Sequence, residues 1–170
     1  PKTKPMNRQP RRPGVLHAVL LISGALFLLA SCSTPAPQHI EKTQNPQKAR
    51  GKALYLVSCS ACHQPNGQGL EGIAPPLAGT QWPNELEDRL ARIVLHGLRG
   101  PITVAGKEYN LEMPAMGFFD DQEIAAILTY VRAAWGKPFS PVTLEAIGKV
   151  RNQTRERSDS WTIEELRQTP

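Results

Sequence analysis

The chain has 170 residues, with 20 Lys and Arg against 15 Asp and Glu, a formal net charge of +5 and 6% aromatic residues. Five of the cations, Lys2, Lys4, Arg8, Arg11 and Arg12, precede Val15, and without them each sign contributes 15 side chains. The basicity therefore belongs to the first dozen residues, and no basic composition remains to argue for nucleic acid as a partner.

Val15 to Ala30 is an apolar run of 16 residues, broken only by His17, Ser23 and small residues. A positive head, a short hydrophobic core and small residues at the cut read as a secretory signal, with Met6 as the start of synthesis. The run is shorter than the roughly 20 residues a spanning helix prefers, which leaves an uncleaved anchor as the alternative. Arg11-Arg12 raises a twin-arginine signal, which the surrounding residues fit poorly. Leu29-Ala30-Ser31-Cys32 resembles the bacterial lipobox, so that 1–31 is expected to be removed and Cys32 acylated as the mature N-terminus. Residues 32–45 are polar and proline-rich and read as a lipidated tether with an r.m.s. reach of about 20 Å. His39 is a solvated residue of that stretch.

Residues 46–136 read as a globular domain of short helices. Asn45-Pro46 supplies a cap and a first-turn proline, and Ala49, Ala53, Leu54 and Val57 form a stripe predicted to be the buried face of the first helix. A second helix is predicted after Trp82-Pro83, with Leu86, Leu90, Ile93 and Val94 on one face and Gly97 at its end. Ile102-Thr103-Val104 with Gly106 permits at most a small hairpin. The third helix starts at Asp120 with Glu123 three residues on, carries Ile124, Ile127, Leu128 and Val131, and stops at Gly136. Residues 137–170 are read as a C-terminal helical extension, with a polar helix from Ser140-Pro141 to about Arg155. Thr162 and Glu165 then form a capping box for a last short helix.

Between the first two helices lies Cys59-Ser60-Ala61-Cys62-His63. C-x-x-C-H is the spacing at which two thiols add to the vinyl groups of a haem while the next histidine reaches the iron. Two other chemistries share the spacing. A thioredoxin-like pair should follow a buried strand, whereas Gln47 to Val57 reads as helix. A structural zinc site needs a second ligand pair, and the remaining Cys32, His17, His39 and His96 are scattered singly. Cys32 is committed to lipid and Cys59 and Cys62 to haem, so no disulfide is expected.

From Gly51 to Trp135 these motifs together resemble a class I cytochrome c. The resemblance implies an all-α fold, a cytochrome c-like arrangement of short helices around one covalently bound haem c. Gly51 and Tyr130 match the positions where that family's N- and C-terminal helices cross, with Tyr55, Ile127 and Val131 beside them. Pro75-Pro76-Leu77-Ala78-Gly79 matches the loop whose proline carbonyl accepts a hydrogen bond from the proximal histidine, here Pro75 and His63. Met113-Pro114-Ala115-Met116 precedes the C-terminal helix as the axial methionine does, with Met113 the better match and Met116 the alternative. Haem attachment thus falls to Cys59 and Cys62, and iron ligation to His63 and Met113. His96, Trp82, Tyr109 and Trp135 are read as capping and packing residues.

His96 to Ile102, Tyr109-Asn110 and Leu128 to Arg132, with Trp161 to Leu166, resemble monohaem cytochromes that accompany periplasmic dehydrogenases and copper nitrite reductases. The expected role is one-electron transfer on the periplasmic side of a bacterial envelope, between redox proteins such as a dehydrogenase, reductase or terminal oxidase on separate chains. The expected membrane attachment is through lipid at Cys32. The alternatives are a haem enzyme or gas-binding protein with a labile sixth ligand, and a dedicated cytochrome subunit of a membrane oxidoreductase.

Overall fold

The computed structural model describes residues 45–137 and 140–169. The expected signal peptide, the acylated Cys32 and nearly all of the tether lie outside the described residues. No helix among those described is long and apolar enough to cross a membrane.

Helix α1 (Pro46–Ser58) opens as its sequence dictates: the Asn45 side chain accepts from the amides of Gln47 and Lys48, and Pro46 occupies the first turn. Its buried face differs from the predicted stripe. Gly51 and Tyr55 are the buried residues, whereas Ala49, Ala53 and Val57 face outward, Val57 with 79% of its surface exposed. A glycine and a tyrosine outweigh the aliphatic stripe because another helix lies directly against them. That partner is α4 (Asp121–Trp135), which begins with a capping box between Asp120 and Glu123 and is buried from Ile124 to Val131.

At the crossing, a Cβ on Gly51 would lie 1.8 Å from the carbonyl oxygen of Ala126 and 3.0 Å from the Cβ of Tyr130. The backbones therefore meet without a side chain between them. Tyr55, Ile127, Tyr130 and Val131 complete this contact, with Leu54, Leu77 and Trp135 against it.

A 3₁₀ turn at Trp82–Asn84 leads to α3 (Glu87–His96). The helix starts one turn later than Trp82-Pro83 suggests, and Leu86 stands at its N-cap, exposed, instead of on the buried face with Leu90 and Ile93. Strands β1 (Ile102–Val104) and β2 (Lys107–Tyr109) form the small antiparallel hairpin, pairing Ile102 with Tyr109. Tyr109 is buried.

The extension differs from its predicted form. Helix α5 (Leu144–Gln153) is capped by Thr143 and not by Ser140, and it is not a polar helix, since Ile147 and Val150 are fully buried. Both join Leu90, Leu95, Ile124 and Leu128 in one core cluster with Val142. Val142 is held to α4 by its amide, which donates to the Thr129 hydroxyl. Helix α6 (Ile163–Gln168) carries the expected capping box of Thr162 and Glu165.

His96 ties α3 to this extension. Its Nε2 lies 2.7 Å from the Thr154 hydroxyl oxygen, and that hydroxyl donates to the Val150 carbonyl, so the imidazole is the donor. Burial holds the pKa of His96 below the ordinary histidine value, and the cations of Arg157, Arg151 and Arg92 push the same way against a backbone hydrogen bond at Arg157. The folded state therefore prefers neutral imidazole, and the unfolded chain binds the proton more tightly. This contribution is complete above the unfolded pKa of about 6.5 and is lost as pH falls from there through the lower folded-state value. His96→Gln, which keeps a side-chain donor, is expected to flatten the loss of stability between pH 7.5 and 5 in urea titrations. An unchanged slope would rule His96 out as its cause.

Candidate haem site

Helix α1 ends at Cys59 and the chain restarts as the single turn α2 (Ser60–His63). The amide of His63 donates to the Cys59 carbonyl at 2.9 Å, so Cys59 stands one helical turn before Cys62 and His63, on the same side of the turn. Cys59 is half-buried and Cys62 exposed. Burial, reinforced by Cys62, pushes the Cys59 thiol up to about 11, which keeps it protonated at neutral pH.

After His63 the chain reverses through Gln64, a non-glycine residue at φ 62°. The Tyr55 hydroxyl secures that reversal by donating to the Gln64 carbonyl at 2.7 Å. The following loop brings Pro75 back to the histidine, with its carbonyl oxygen 3.1 Å from His63 Nδ1. With Nδ1 donating there, Nε2 carries the free lone pair and is the nitrogen able to bind a metal. Burial lowers the pKa of His63, opposed by the Pro75 hydrogen bond, so the ring is neutral, as a ligand must be.

Met113 arrives from the other direction. Helix α3 ends at Gly97, which turns at φ 83°, and a Cβ there would meet the Met113 carbonyl oxygen at 2.4 Å. The chain then runs antiparallel to the methionine: Leu98 donates to the Met113 carbonyl at 3.1 Å and accepts from its amide at 2.9 Å. Met116 is placed separately, its amide donating to the Val94 carbonyl at 2.8 Å.

These residues border two adjoining lobes of one cleft, the second the larger. Cys59, His63, Pro75, Leu98, Ile102 and Met113 border both lobes, whereas Met116 and Cys62 border only the larger. The inner wall is apolar, supplied by Tyr55, Leu90, Ile93, Ile127, Leu128 and Val131. The residues fit a haem: a flat, apolar prosthetic group needs such a cleft, two thiols at C-x-x-C spacing, a neutral imidazole with a free Nε2, and a second soft ligand. Among the described residues no cluster of three His, Cys, Asp or Glu side chains could hold a bare metal ion.

Residues 48–135 match the family model described as Cytochrome c. The chain belongs to the cytochrome c family. Cytochrome c-552 of Thermus thermophilus is 38% identical over 118 residues, spanning 61% of this chain and 86% of that protein. The gluconate 2-dehydrogenase cytochrome c subunit of Pantoea cypripedii is 34% identical over 91 residues, covering 51% of this chain and 20% of the subunit. The Cbb3-type cytochrome c oxidase subunit CcoP of Helicobacter pylori is 36% identical over 83 residues, covering 49% of this chain and 26% of the subunit. This cytochrome is accordingly an electron carrier of the class I type, not itself an enzyme, and its prosthetic group is covalently bound haem c. Residues beyond Trp135 lie outside the family match.

Leu98 was not legible in the sequence as a residue of the site. Its only local signal is the glycine before it, which marks a helix end and not a partner. Trp82, read as packing, also lines the smaller lobe. Tyr109 borders the larger lobe, and Trp135 packs on Tyr55 with ring centroids 5.3 Å apart.

Proposed function

We propose that this cytochrome carries one electron at a time through a single haem c with His/Met ligation, tethered by lipid at Cys32 to a bacterial envelope membrane and facing the periplasm. One C-x-x-C-H motif in the chain supports one haem per chain. The observation that carries the reading is that His63 and Met113, brought from opposite sides of the sequence, border both lobes of the apolar cleft.

When bound, haem c supplies an iron that cycles between ferrous and ferric states at a potential set by its axial ligands. Cys59 and Cys62 would hold it covalently. His63 offers Nε2 in an orientation kept by the Pro75 carbonyl, whose hydrogen bond raises the basicity of the ring. Met113 offers a neutral thioether, which favours the ferrous state relative to an anionic ligand. The apolar wall excludes water and lowers the local dielectric. Were His63 and Met113 both to ligate the iron, no position would remain for a substrate, and the group would serve to pass electrons to partners at the surface near Cys59 and Cys62. Ile73 and Leu111, both about half exposed or more, border the larger lobe on that side.

The partners are redox proteins on separate chains, a dehydrogenase, a reductase or a terminal oxidase. The named relatives that are subunits of a dehydrogenase and of an oxidase support this class. They equally favour a second reading, a dedicated subunit that stays in one complex, for which copurification of a stoichiometric partner is the test.

The visible spectrum of the reduced, haem-loaded protein before and after carbon monoxide tests the ligation. An unchanged low-spin c-type spectrum is expected. A rapid shift would mean an open iron, and the function would then be gas binding or catalysis. Mass spectrometry of the mature N-terminus tests the anchor: a chain that begins at an acylated Cys32 is expected, and an unmodified Cys32 or an uncleaved N-terminus would sink the lipid anchor.

A further inference from the structure

We propose that the C-terminal extension is a positioning device for the sixth iron ligand, with Trp161 and Arg151 holding the methionine segment at its two ends. The proposal rests on the reading of Met113 as that ligand.

Leu98 is paired on both sides: antiparallel with Met113 and parallel with Trp161. The Trp161 amide donates to the Gly97 carbonyl at 3.1 Å, and the Trp161 carbonyl accepts from Arg99 at 2.8 Å. The backbone of the ligand is therefore one strand removed from that of the tryptophan. The Ser160 hydroxyl also donates to the carboxylate of Glu112, the residue before Met113. The Trp161 ring is almost wholly buried and packs with Ile93, Leu98 and Leu166, a cluster on which Met113 rests. The Arg157 guanidinium lies 3.7 Å from the ring centroid and that of Arg92 lies 5.5 Å away, so two cations lie against the indole.

At the other end of the segment, Arg151 of α5 donates to the Gly117 carbonyl at 2.9 Å and to the Phe119 carbonyl at 2.7 Å, and pairs with Asp121 at 2.6 Å. Three charge-assisted bonds from one planar group fix the backbone between Met116 and α4. Between these anchors the segment has no helix or strand of its own beyond the Leu98 bridge. A neutral thioether is a weak ligand, and freedom of the loop that carries it competes directly with ligation. The extension removes that freedom before the bond to iron forms.

The test uses full-length, haem-loaded protein with Trp161→Ala, Arg151→Gln and the conservative Trp161→Phe. Readouts are carbon monoxide affinity of the ferrous form, the methionine–iron charge-transfer band of the ferric form, and circular dichroism as a check of folding. For Trp161→Ala and Arg151→Gln, carbon monoxide affinity is expected to rise about tenfold or more while helix content is kept, and the charge-transfer band to weaken. Trp161→Phe should restore values near those of the parent. Wild-type affinity and an intact band in both Trp161→Ala and Arg151→Gln would overturn the proposal. Should Trp161→Ala fail to fold, Arg151→Gln decides by the same criteria. Met113→Leu separates the two readings: if it leaves the iron closed to carbon monoxide, the ligand assignment falls. If it opens the iron while Trp161→Ala and Arg151→Gln do not, only the positioning role falls.

Discussion

Met113→Leu is expected to abolish low-spin six-coordination, open the ferrous iron to carbon monoxide and lower the reduction potential by on the order of a hundred millivolts or more, within the roughly 0.8 V over which axial ligands set haem potentials. Leucine keeps the volume of the methionine, so packing beside Leu98 and Ile102 changes little, and the loss is that of the sulfur. Helix content should therefore remain, and haem should stay attached through Cys59 and Cys62. Met116→Leu is the control: it borders only one lobe, and its backbone is held to Val94 independently. If Met116→Leu opened the iron and Met113→Leu did not, the axial assignment would move by three residues.

The second large effect is expected at the helix crossing. Gly51→Val should destabilise the protein by about 3 kcal/mol or more, at or beyond the upper end of overpacking costs, because the new atoms collide with backbone and not with a movable side chain. The carbonyl of Ala126 lies 1.8 Å from the position of the first added carbon, so α1 and α4 must separate. Separation breaks the contact of Tyr55 with Tyr130, whose ring centroids are 5.3 Å apart, and loosens the wall of the cleft. A melting temperature lower by roughly 10 °C or more follows for a protein of this size. Ala53→Val, on the exposed side of the same helix, should cost no more than the helix propensity difference of about 0.7 kcal/mol. Equal effects at the two positions would mean that close approach of the helices is not what Gly51 provides.

How far the fold could be read depended on where the information lay. Helix α4 was legible from end to end, because its capping box, its apolar period and its terminal glycine are all local. The small hairpin and the capping box of α6 were legible for the same reason. The buried face of α1 was legible only through the family resemblance, which puts Gly51 at the helix crossing with Tyr55 beside it. Apolar periodicity pointed to Ala49, Ala53 and Val57, whereas the face that is used consists of Gly51 and Tyr55, and a glycine carries no hydrophobic signal. Leu86 was misplaced because the 3₁₀ turn delays α3, and α5 was read as polar because Ile147 and Val150 are few among charged neighbours, although both are fully buried.

By itself the sequence determined the chemistry. The C-x-x-C-H spacing is complete within Cys59 to His63, so covalent haem is legible locally, and the proposed second ligand, Met113, is suggested by the family resemblance of its Met-Pro pair. Only the tertiary structure decided how the Met113 segment is held. Leu98 pairs with residues 15 and 63 positions further along the chain, Met113 and Trp161, and Arg151 reaches back across more than thirty residues to Gly117. Backbone pairing and packing across such separations impose no short-range pattern, because any backbone can donate and accept. The partner is chosen by the way the helices pack around the cleft.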